Sequence, residues 1–235
     1  MLLPFVALSC SPGAGPSSGT SDGPTASVSS AAPSVSPAPA GSAAAALARL
    51  PVKGRAPLTG YARRLFGTAW SDDAINVPDA HNGCDTRNDI LNRDLTNKTW
   101  RSGTHDCVVI SGVLHDPYTG RTIPFAKANA TAVQIDHVVA LADAWQKGAQ
   151  GWSAAQRLSF ANDPLELLAV DGPTNQRKGD SDAATWLPLN KSYRCTYVAR
   201  QIAVKAKYHL SVTPAERAVM LRILSSCPAQ PLAVE

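Results

Sequence analysis

Asp136 and His137 are the two neighbouring residues whose types could carry out chemistry together. They lie in the otherwise apolar run Ile135–Leu141, where a buried carboxylate is costly unless a cation or hydrogen bonds compensate it. A divalent metal ion is one such cation. A histidine near its unperturbed pKa could act as general base on a water. We therefore interpret Asp136 as a candidate metal ligand and His137 as a candidate base.

A second apolar run, Leu165–Val170, is followed by the turn signal Asp171-Gly172-Pro173. A short helix is then expected to open at Thr174 or Asn175, so the sequence predicts strand, strand and helix. Adjacent residues of a strand point to opposite faces, so Asp136 and His137 share a site only if the strand bends or ends there. The helix would bring three further polar side chains to the same end of the hairpin: Asn175, Arg177 and Lys178.

These motifs resemble a known family. Asp136-His137, Asn162-Asp163-Pro164-Leu165 and Asn175-Gln176-Arg177-Lys178-Gly179-Asp180 together resemble an HNH endonuclease with a ββα-metal core. The chain is most similar to secreted actinobacterial HNH family proteins whose domain is related to the GmrSD restriction enzymes. The resemblance covers nearly the whole chain after Tyr61 and includes four further motifs: Tyr61–Trp70, Gly83–Leu91, Asp116–Gly120 and Trp186–Pro188.

The resemblance implies roles for individual residues. His137 would be the general base, Asp136 and Asn175 would be metal ligands, and Asn162 would orient the histidine or brace the loop between the strands. The helix lacks the additional histidine that many such nucleases carry.

The third metal ligand is therefore expected to be Asp180, Asp182 or water. Such an oxygen-rich set favours Mg²⁺ or Mn²⁺, and Zn²⁺ is less favoured because it prefers nitrogen and sulfur.

The expected activity is metal-dependent hydrolysis of phosphodiester bonds in DNA, with RNA as a second candidate and with little sequence specificity. Arg177, Lys178 and Arg87 would neutralise phosphate oxygens. The structural alternatives are a solvated helix face for Arg177 and Lys178, and a salt-bridged cap for Arg87. Two other functions stay open: a non-catalytic cell-envelope binding module that retains the HNH fold, and a hydrolase of another envelope polymer.

Composition divides the chain of 235 residues, with a net charge of +4, into three parts. Residues 1–10 resemble the end of a lipoprotein signal, with Cys10 at the lipid-attachment position. Residues 11–50 are rich in Ser, Pro, Ala and Gly and predict a disordered tether, with a short helix at Ala43–Leu50 as an alternative for its last part. Residues 51–235 would form one nuclease domain. We expect an exported monomer, extracellular or in the cell envelope, that contacts a membrane only through a lipid on Cys10.

Four cysteines remain in the predicted domain, and an even number in an exported chain predicts disulfides. Of the three pairings that four cysteines allow, we favour Cys84 with Cys107 and Cys195 with Cys227, because each pair brackets a self-contained unit. A Cys₄ zinc site is the alternative, but no Cys-x-x-Cys spacing supports it.

The remaining pattern predicts an α+β fold in which a ββα core carries an added β-hairpin and surrounding helices. Tyr61–Leu95 is expected to be mainly helical, and Trp100–Phe125 to form a hairpin that extends the central sheet. Four more helices are expected, at Leu141–Lys147, Ser153–Ala161, Tyr193–Tyr208 and Thr213–Ser226.

Overall fold

The structure is a computed structural model that describes residues Pro39–Val234. The predicted signal segment, Cys10 and the first part of the predicted tether lie outside the described residues. The α-helices are α1 (Ala43–Arg49), α2 (Thr86–Asp94), α3 (Leu141–Lys147), α4 (Ala154–Ala161), α5 (Gly172–Lys178), α6 (Arg194–Lys207) and α7 (Pro214–Leu224). The strands are β1 (Leu95–Trp100), β2 (Val109–His115), β3 (Thr122–Ala126), β4 (Val133–His137) and β5 (Leu167–Asp171). The predicted α+β class is confirmed.

The four helices expected in the second half of the chain are present as α3, α4, α6 and α7. Capping boxes start two of them: Ser153 accepts from the backbone N–H of Gln156, and Thr213 accepts from the backbone N–H of Glu216. In each box the acidic or amide side chain reaches back to the capping residue, so two otherwise unpaired donors are satisfied. Local sequence therefore determines where α4 and α7 begin.

The predicted hairpin forms as β2 and β3, but it does not extend the central sheet. It belongs to a separate antiparallel sheet of order β1-β2-β3, while β4 and β5 form a two-stranded sheet. Strand β1 was not predicted because its middle residues are polar and exposed or half-buried. A register shift between Thr96 and Thr99 also interrupts its pairing with β2.

Strands β4 and β5 with helix α5 form the strand, strand and helix arrangement that the sequence predicts. The strands are antiparallel, with Asp136 opposite Leu168 and His137 opposite Leu167. β4 ends at His137, which is the condition for Asp136 and His137 to border one site. Helices α3 and α4 lie in the connection between the two strands.

The segment Tyr61–Leu95 is much less helical than predicted. It contains a short 3-10 helix, Arg63–Phe66, and then turns and bends until α2 begins at Thr86. The carboxylate of Asp85 caps α2 by accepting from the backbone N–H of Asn88. Helical spacing was present only from Thr86 onward, and the glycines and turn residues before it prevent a longer helix.

The folded part begins before the predicted boundary at Pro51. Helix α1 lies within the stretch interpreted as a tether, yet Ala43 and Leu47 are fully buried and the helix packs on α6 and α7. Ser42 caps α1 and pairs with Pro231 in an isolated β-bridge. An alanine-rich composition indicated disorder, but apolar contacts with distant helices order this part of it.

Both expected disulfides are confirmed. Cys84 is bonded to Cys107, and Cys195 is bonded to Cys227. The first joins the turn before α2 to the loop before β2, and the second joins α6 to the chain after α7. Each closes a loop of 23 or 32 residues, which restricts the unfolded chain.

Two hydrophobic clusters lie on opposite faces of the β4-β5 sheet. Alternation along β5 places Leu167 and Ala169 in a cluster with α2 and the three-stranded sheet, and Leu168 and Val170 in a cluster with α6. This sheet is therefore buried on both faces. None of the helices between Pro39 and Val234 is long and apolar enough to cross a bilayer.

Candidate functional site

His137 stands at the end of β4, and its ring is held on two sides. Its Nε2 lies 3.0 Å from the carbonyl oxygen of Ala161 at the end of α4. A carbonyl only accepts, so Nε2 carries the proton and the lone pair is on Nδ1. The ring of Trp70 stacks on the imidazole, with centroids 5.8 Å apart and planes 18° apart. This arrangement fixes both the tautomer and the orientation of the ring.

Burial, together with the nearby positive charge of Arg63, lowers the pKa of His137 to about 3. The sequence-based expectation of an unperturbed pKa is therefore wrong, since the side chain is 7% exposed. The imidazole is neutral at pH 7, which is the form that can accept a proton.

Asp136 points to the opposite face of β4 and is paired there. Its Oδ1 accepts from the Lys178 ammonium at 2.8 Å, and its Oδ2 accepts from the Tyr118 hydroxyl at 2.5 Å. Burial raises the pKa of Asp136, although Lys178 and Tyr118 act in the opposite direction. Lys178 also donates to the carbonyl oxygen of His137 at 2.7 Å. One buried ammonium thus ties α5 to the last two residues of β4.

Tyr118 reaches Asp136 because of the turn between β2 and β3. The buried carboxylate of Asp116 accepts from the backbone N–H groups of Tyr118 and Thr119, and also from that of Asp171. Asp171 in turn caps α5 by accepting from the backbone N–H of Thr174 at 2.9 Å. The turn therefore positions both the tyrosine and the start of the helix that carries Lys178.

A cavity of about 180 Å³ brings together most of the predicted site. Asp136, His137, Asn175 and Asp180 line it, together with Arg63. The Asn175 amide donates to Gln134 at 3.0 Å, so its oxygen is the atom turned away from that bond. We call this space the carboxylate cavity.

The donors of the carboxylate cavity suit a hard cation. The atoms that could bind a metal ion here are carboxylate and amide oxygens. The carboxylate of Asp180 is exposed and forms no hydrogen bond or ion pair within Pro39–Val234. Lys178 already neutralises Asp136, so an added ion would be held mainly by Asn175, Asp180 and water, with Asp136 sharing its remaining lone pairs. No group of three or more His, Cys, Asp or Glu residues that could hold a metal ion occurs in the described range.

The basic residues predicted to contact phosphate are placed differently from one another. Lys178 is 1% exposed and is used entirely inside the protein. Arg177 is exposed and donates to the hydroxyl of Thr174 at 2.8 Å. Arg87 is half-buried and donates to the carbonyls of Ala130 and Val133, outside the carboxylate cavity.

Asn162 follows α4 and is 2% exposed. Its amide nitrogen donates to the carbonyl of Leu158 at 2.9 Å, and its Oδ1 has no partner. The residue before it, Ala161, supplies the carbonyl that holds His137. Asn162 therefore shapes the end of α4 and does not contact the imidazole by any hydrogen bond of the described structure.

A second cavity, of about 230 Å³, lies on the Trp70 side of His137 and was not predicted. Its walls come from the segment Arg63–Trp70 and from His137, Leu141, Ala161 and Asn162, and we call it the arginine-rimmed cavity. Arg63 lines both cavities, and Arg64 lines only this one. The only signal in the sequence was that Tyr61–Trp70 belongs to the family pattern, which did not indicate proximity to His137.

Comparison with known proteins places the chain in a family. The model of the GmrSD restriction endonucleases, C-terminal domain, matches residues 85–223. An "uncharacterized secreted protein" of Arthroderma benhamiae is 39% identical over 190 residues, which are 80% of this chain and 86% of that relative. No solved structure matches the chain. The match spans more than half of the chain and includes β4, β5 and α5, so the chain belongs to the family of the GmrSD restriction endonuclease C-terminal domain.

Proposed function

We propose that the protein is a divalent-metal-dependent endonuclease that hydrolyses phosphodiester bonds of DNA, with RNA as a second candidate substrate and little sequence specificity. Membership of a restriction endonuclease family supports a nuclease-type function. We further propose that β4, β5 and α5 are the ββα-metal core of an HNH nuclease, and that the chain groups with secreted actinobacterial HNH proteins.

One observation carries this proposal: His137 Nε2 donates a hydrogen bond to the carbonyl of Ala161, beside a cavity lined by carboxylate and amide oxygens that can bind a metal ion. This hydrogen bond leaves the lone pair of the imidazole on Nδ1, and His137 lines both cavities. In the proposed reaction Nδ1 accepts a proton from water, the water oxygen bonds to phosphorus, the bond from phosphorus to the 3′ oxygen breaks, and the departing oxygen takes a proton from solvent.

The remaining residues act by charge and position. Arg63 is an exposed cation that lines the carboxylate cavity, and Arg177 is an exposed cation two residues after Asn175 in α5; both would neutralise phosphate oxygens. Lys178 is better suited to positioning, since it holds Asp136 and the His137 carbonyl.

Asp136, Asn175 and Asp180 would hold Mg²⁺ or Mn²⁺. The bound ion would stabilise negative charge on the phosphate and on the departing oxygen.

Export of the protein is part of the proposal. The relative from Arthroderma benhamiae carries the name of a secreted protein, and two disulfides are typical of oxidising compartments. We keep extracellular or cell-envelope location, a lipid on Cys10 and a monomeric state as proposals.

The test is cleavage of supercoiled plasmid, single-stranded DNA and RNA by the full chain, with Mg²⁺ or Mn²⁺ and with EDTA. We expect cutting that requires the metal. The absence of cutting with every divalent ion, from folded protein with both disulfides intact, would overturn the proposal.

That negative result would favour the second candidate, a binding module that retains the fold without catalysis. The Lys178–Asp136 ion pair supports this second candidate. The Lys178 ammonium already neutralises the carboxylate of Asp136, so the folded protein does not need a metal ion to compensate that charge.

A further inference from the structure

We infer that the arginine-rimmed cavity binds a single unpaired nucleobase that carries an exocyclic amine, from the nucleotide next to the bond that is cut. The inference rests on the proposed nuclease function and adds a substrate preference to it. Cytosine, adenine and guanine carry such an amine, whereas thymine and uracil do not.

The size and the walls of the cavity suit one base. A volume of about 230 Å³ has room for roughly eight waters at about 30 Å³ each, which is the scale of one nucleobase and too small for a base pair. Phe66, Trp70 and Leu141 provide an apolar and aromatic lining, against which the face of a base can stack. The ring of Trp70 is already stacked on His137, so a base bound here lies beside the proposed general base.

Asn162 supplies an acceptor that lacks a donor. The residue lines the cavity and is 2% exposed, and its Oδ1 has no hydrogen-bond partner. The amide nitrogen donates to the carbonyl of Leu158, which fixes the orientation of the amide, so the atom left without a partner is the oxygen, an acceptor. A buried acceptor without a partner costs about 1–3 kcal/mol, and an exocyclic amine of a bound base would satisfy it.

The cavity wall is built from residues in restricted conformations. Trp70 has a φ of 60°, which is rare for a bulky residue, and its carbonyl accepts from the backbone N–H of Thr86. Gly67 has a φ of 85°, and a Cβ there would lie 2.5 Å from the side chain of Leu158. The surrounding structure holds the wall in this shape before any ligand binds.

The rim of the arginine-rimmed cavity is positively charged, as the binding of a nucleotide phosphate requires. Arg63 and Arg64 are exposed, and their side chains form no hydrogen bond or ion pair within Pro39–Val234. They lie on a 3-10 helix that is anchored by the buried side chain of Phe66 and by a hydrogen bond from Arg157 to the carbonyl of Leu65. A base inserted between them would bring its phosphates to two unpaired guanidinium groups.

The test is equilibrium binding of fluorescent single strands of about ten nucleotides to the full chain in EDTA, where no cleavage is expected. Oligo(dC) is compared with oligo(dU), because the two bases have the same size and differ in the amine. We expect oligo(dC) to bind about tenfold more tightly, and duplex of the same sequence to bind more weakly than either strand. In Asn162→Ala the ratio between oligo(dC) and oligo(dU) should fall to about one.

Two further variants test the rim. Arg64→Gln should weaken the binding of both oligonucleotides equally. Arg101→Gln should leave the binding of both unchanged, because Arg101 is an exposed arginine in the loop after β1 and does not line the cavity. Equal binding of oligo(dC) and oligo(dU) by the unmodified protein would overturn the inference, and this comparison does not depend on whether Asn162→Ala folds.

The binding assay also separates this inference from the proposed function. Selective binding without cleavage in Mg²⁺ would support the base site and overturn the nuclease. Cleavage without any difference between dC and dU would support the nuclease and overturn the base site.

Discussion

At the scale of single residues, Lys178 shows why a sequence pattern can locate a site without giving each residue its role. Arg177 and Lys178 are adjacent basic residues, and the sequence predicts that both contact phosphate. Consecutive residues on a helix point about 100° apart, so one of the two can face the protein while the other faces solvent. Lys178 is the one that faces inward, and no local signal identifies its partner, Asp136, which lies 42 residues away in sequence.

We predict that Lys178→Met is strongly destabilising. It leaves the carboxylate of Asp136 buried without a cation, a change that costs about 3–5 kcal/mol. Urea denaturation should show this loss in the free energy of unfolding, and Asp136→Asn combined with Lys178→Met should recover part of it. Lys191→Met, on an exposed lysine, is the matched control. A Lys178→Met protein as stable as the control would contradict the structural role of the ion pair.

The carboxyl group of Asp89 gives a prediction about pH. Burial, opposed by the hydrogen bond from Asn82 and helped by the negative charges of Asp79, Asp72 and Asp85, raises its pKa from 3.8 to about 6. Because the folded state then binds more protons than the unfolded state between about pH 4 and 6, stability falls as the pH rises through this window.

Asp89→Asn removes this dependence and keeps an acceptor for Asn82. We expect the variant to be about 1 kcal/mol more stable than the parent protein at pH 7, after allowance for solvent screening of a partly exposed group, and equally stable near pH 4. Thermal unfolding at several pH values measures this difference. A variant that is less stable at pH 7 would show that the Asp89 carboxylate is favourably paired when charged.

At the scale of elements, the start of α5 depends on one glycine. A Cβ on Gly172 would lie 2.0 Å from the carbonyl oxygen of Thr131, which is a backbone atom and cannot rotate out of the way as a side chain can. Gly172→Ala should therefore displace the start of α5 from the segment that precedes β4 and lower the free energy of unfolding by more than about 2 kcal/mol. Gly151→Ala is the control, because nothing lies within 4 Å of its Cβ position. Equal denaturation midpoints for the two variants would show that the contact relaxes at little cost.

The elements that the sequence predicts correctly are those with local signals. Capping residues and apolar spacing predict α4 and α7, and the turn Asp116–Gly120 predicts the β2-β3 hairpin. The elements that it misses depend on distant contacts. β1 is recognised only by its pairing with β2, and α1 is ordered by packing on α6 and α7. The separation of two sheets also depends on tertiary packing, which hydrophobic alternation does not encode.

At the scale of the whole molecule, buried charges connect elements that are far apart in the chain. Lys147 pairs with Asp143, Asp182 and Glu216, and Lys205 pairs with Asp143 and Glu216. Burial acts to lower the pKa of Lys205, but Glu216 and Asp143 outweigh it and raise that pKa. This network joins α3, α6, α7 and the chain after α5, and the sequence shows it only as scattered charges.

The candidate site was predictable to the extent that its members share motifs. Asp136, His137, Asn175 and Asp180 do border one cavity, as the strand, strand and helix pattern suggests. Arg63 was not predicted there, because it comes from a 3-10 helix more than 70 residues before His137 and reaches the cavity only in the folded molecule. The catalytic and binding roles of Arg63 and of the other site residues remain predictions.

The measurement that most directly tests the central claim is the cleavage rate of His137→Gly in the presence of Mg²⁺, with and without added imidazole. If Nδ1 of His137 is the general base, the variant should cut plasmid at least about 100-fold more slowly, and imidazole should restore part of the rate by entering the space that the side chain leaves. His105→Gly, which removes an exposed histidine, should cut at the parental rate. A His137→Gly protein that cleaves as fast as the parent would contradict the account.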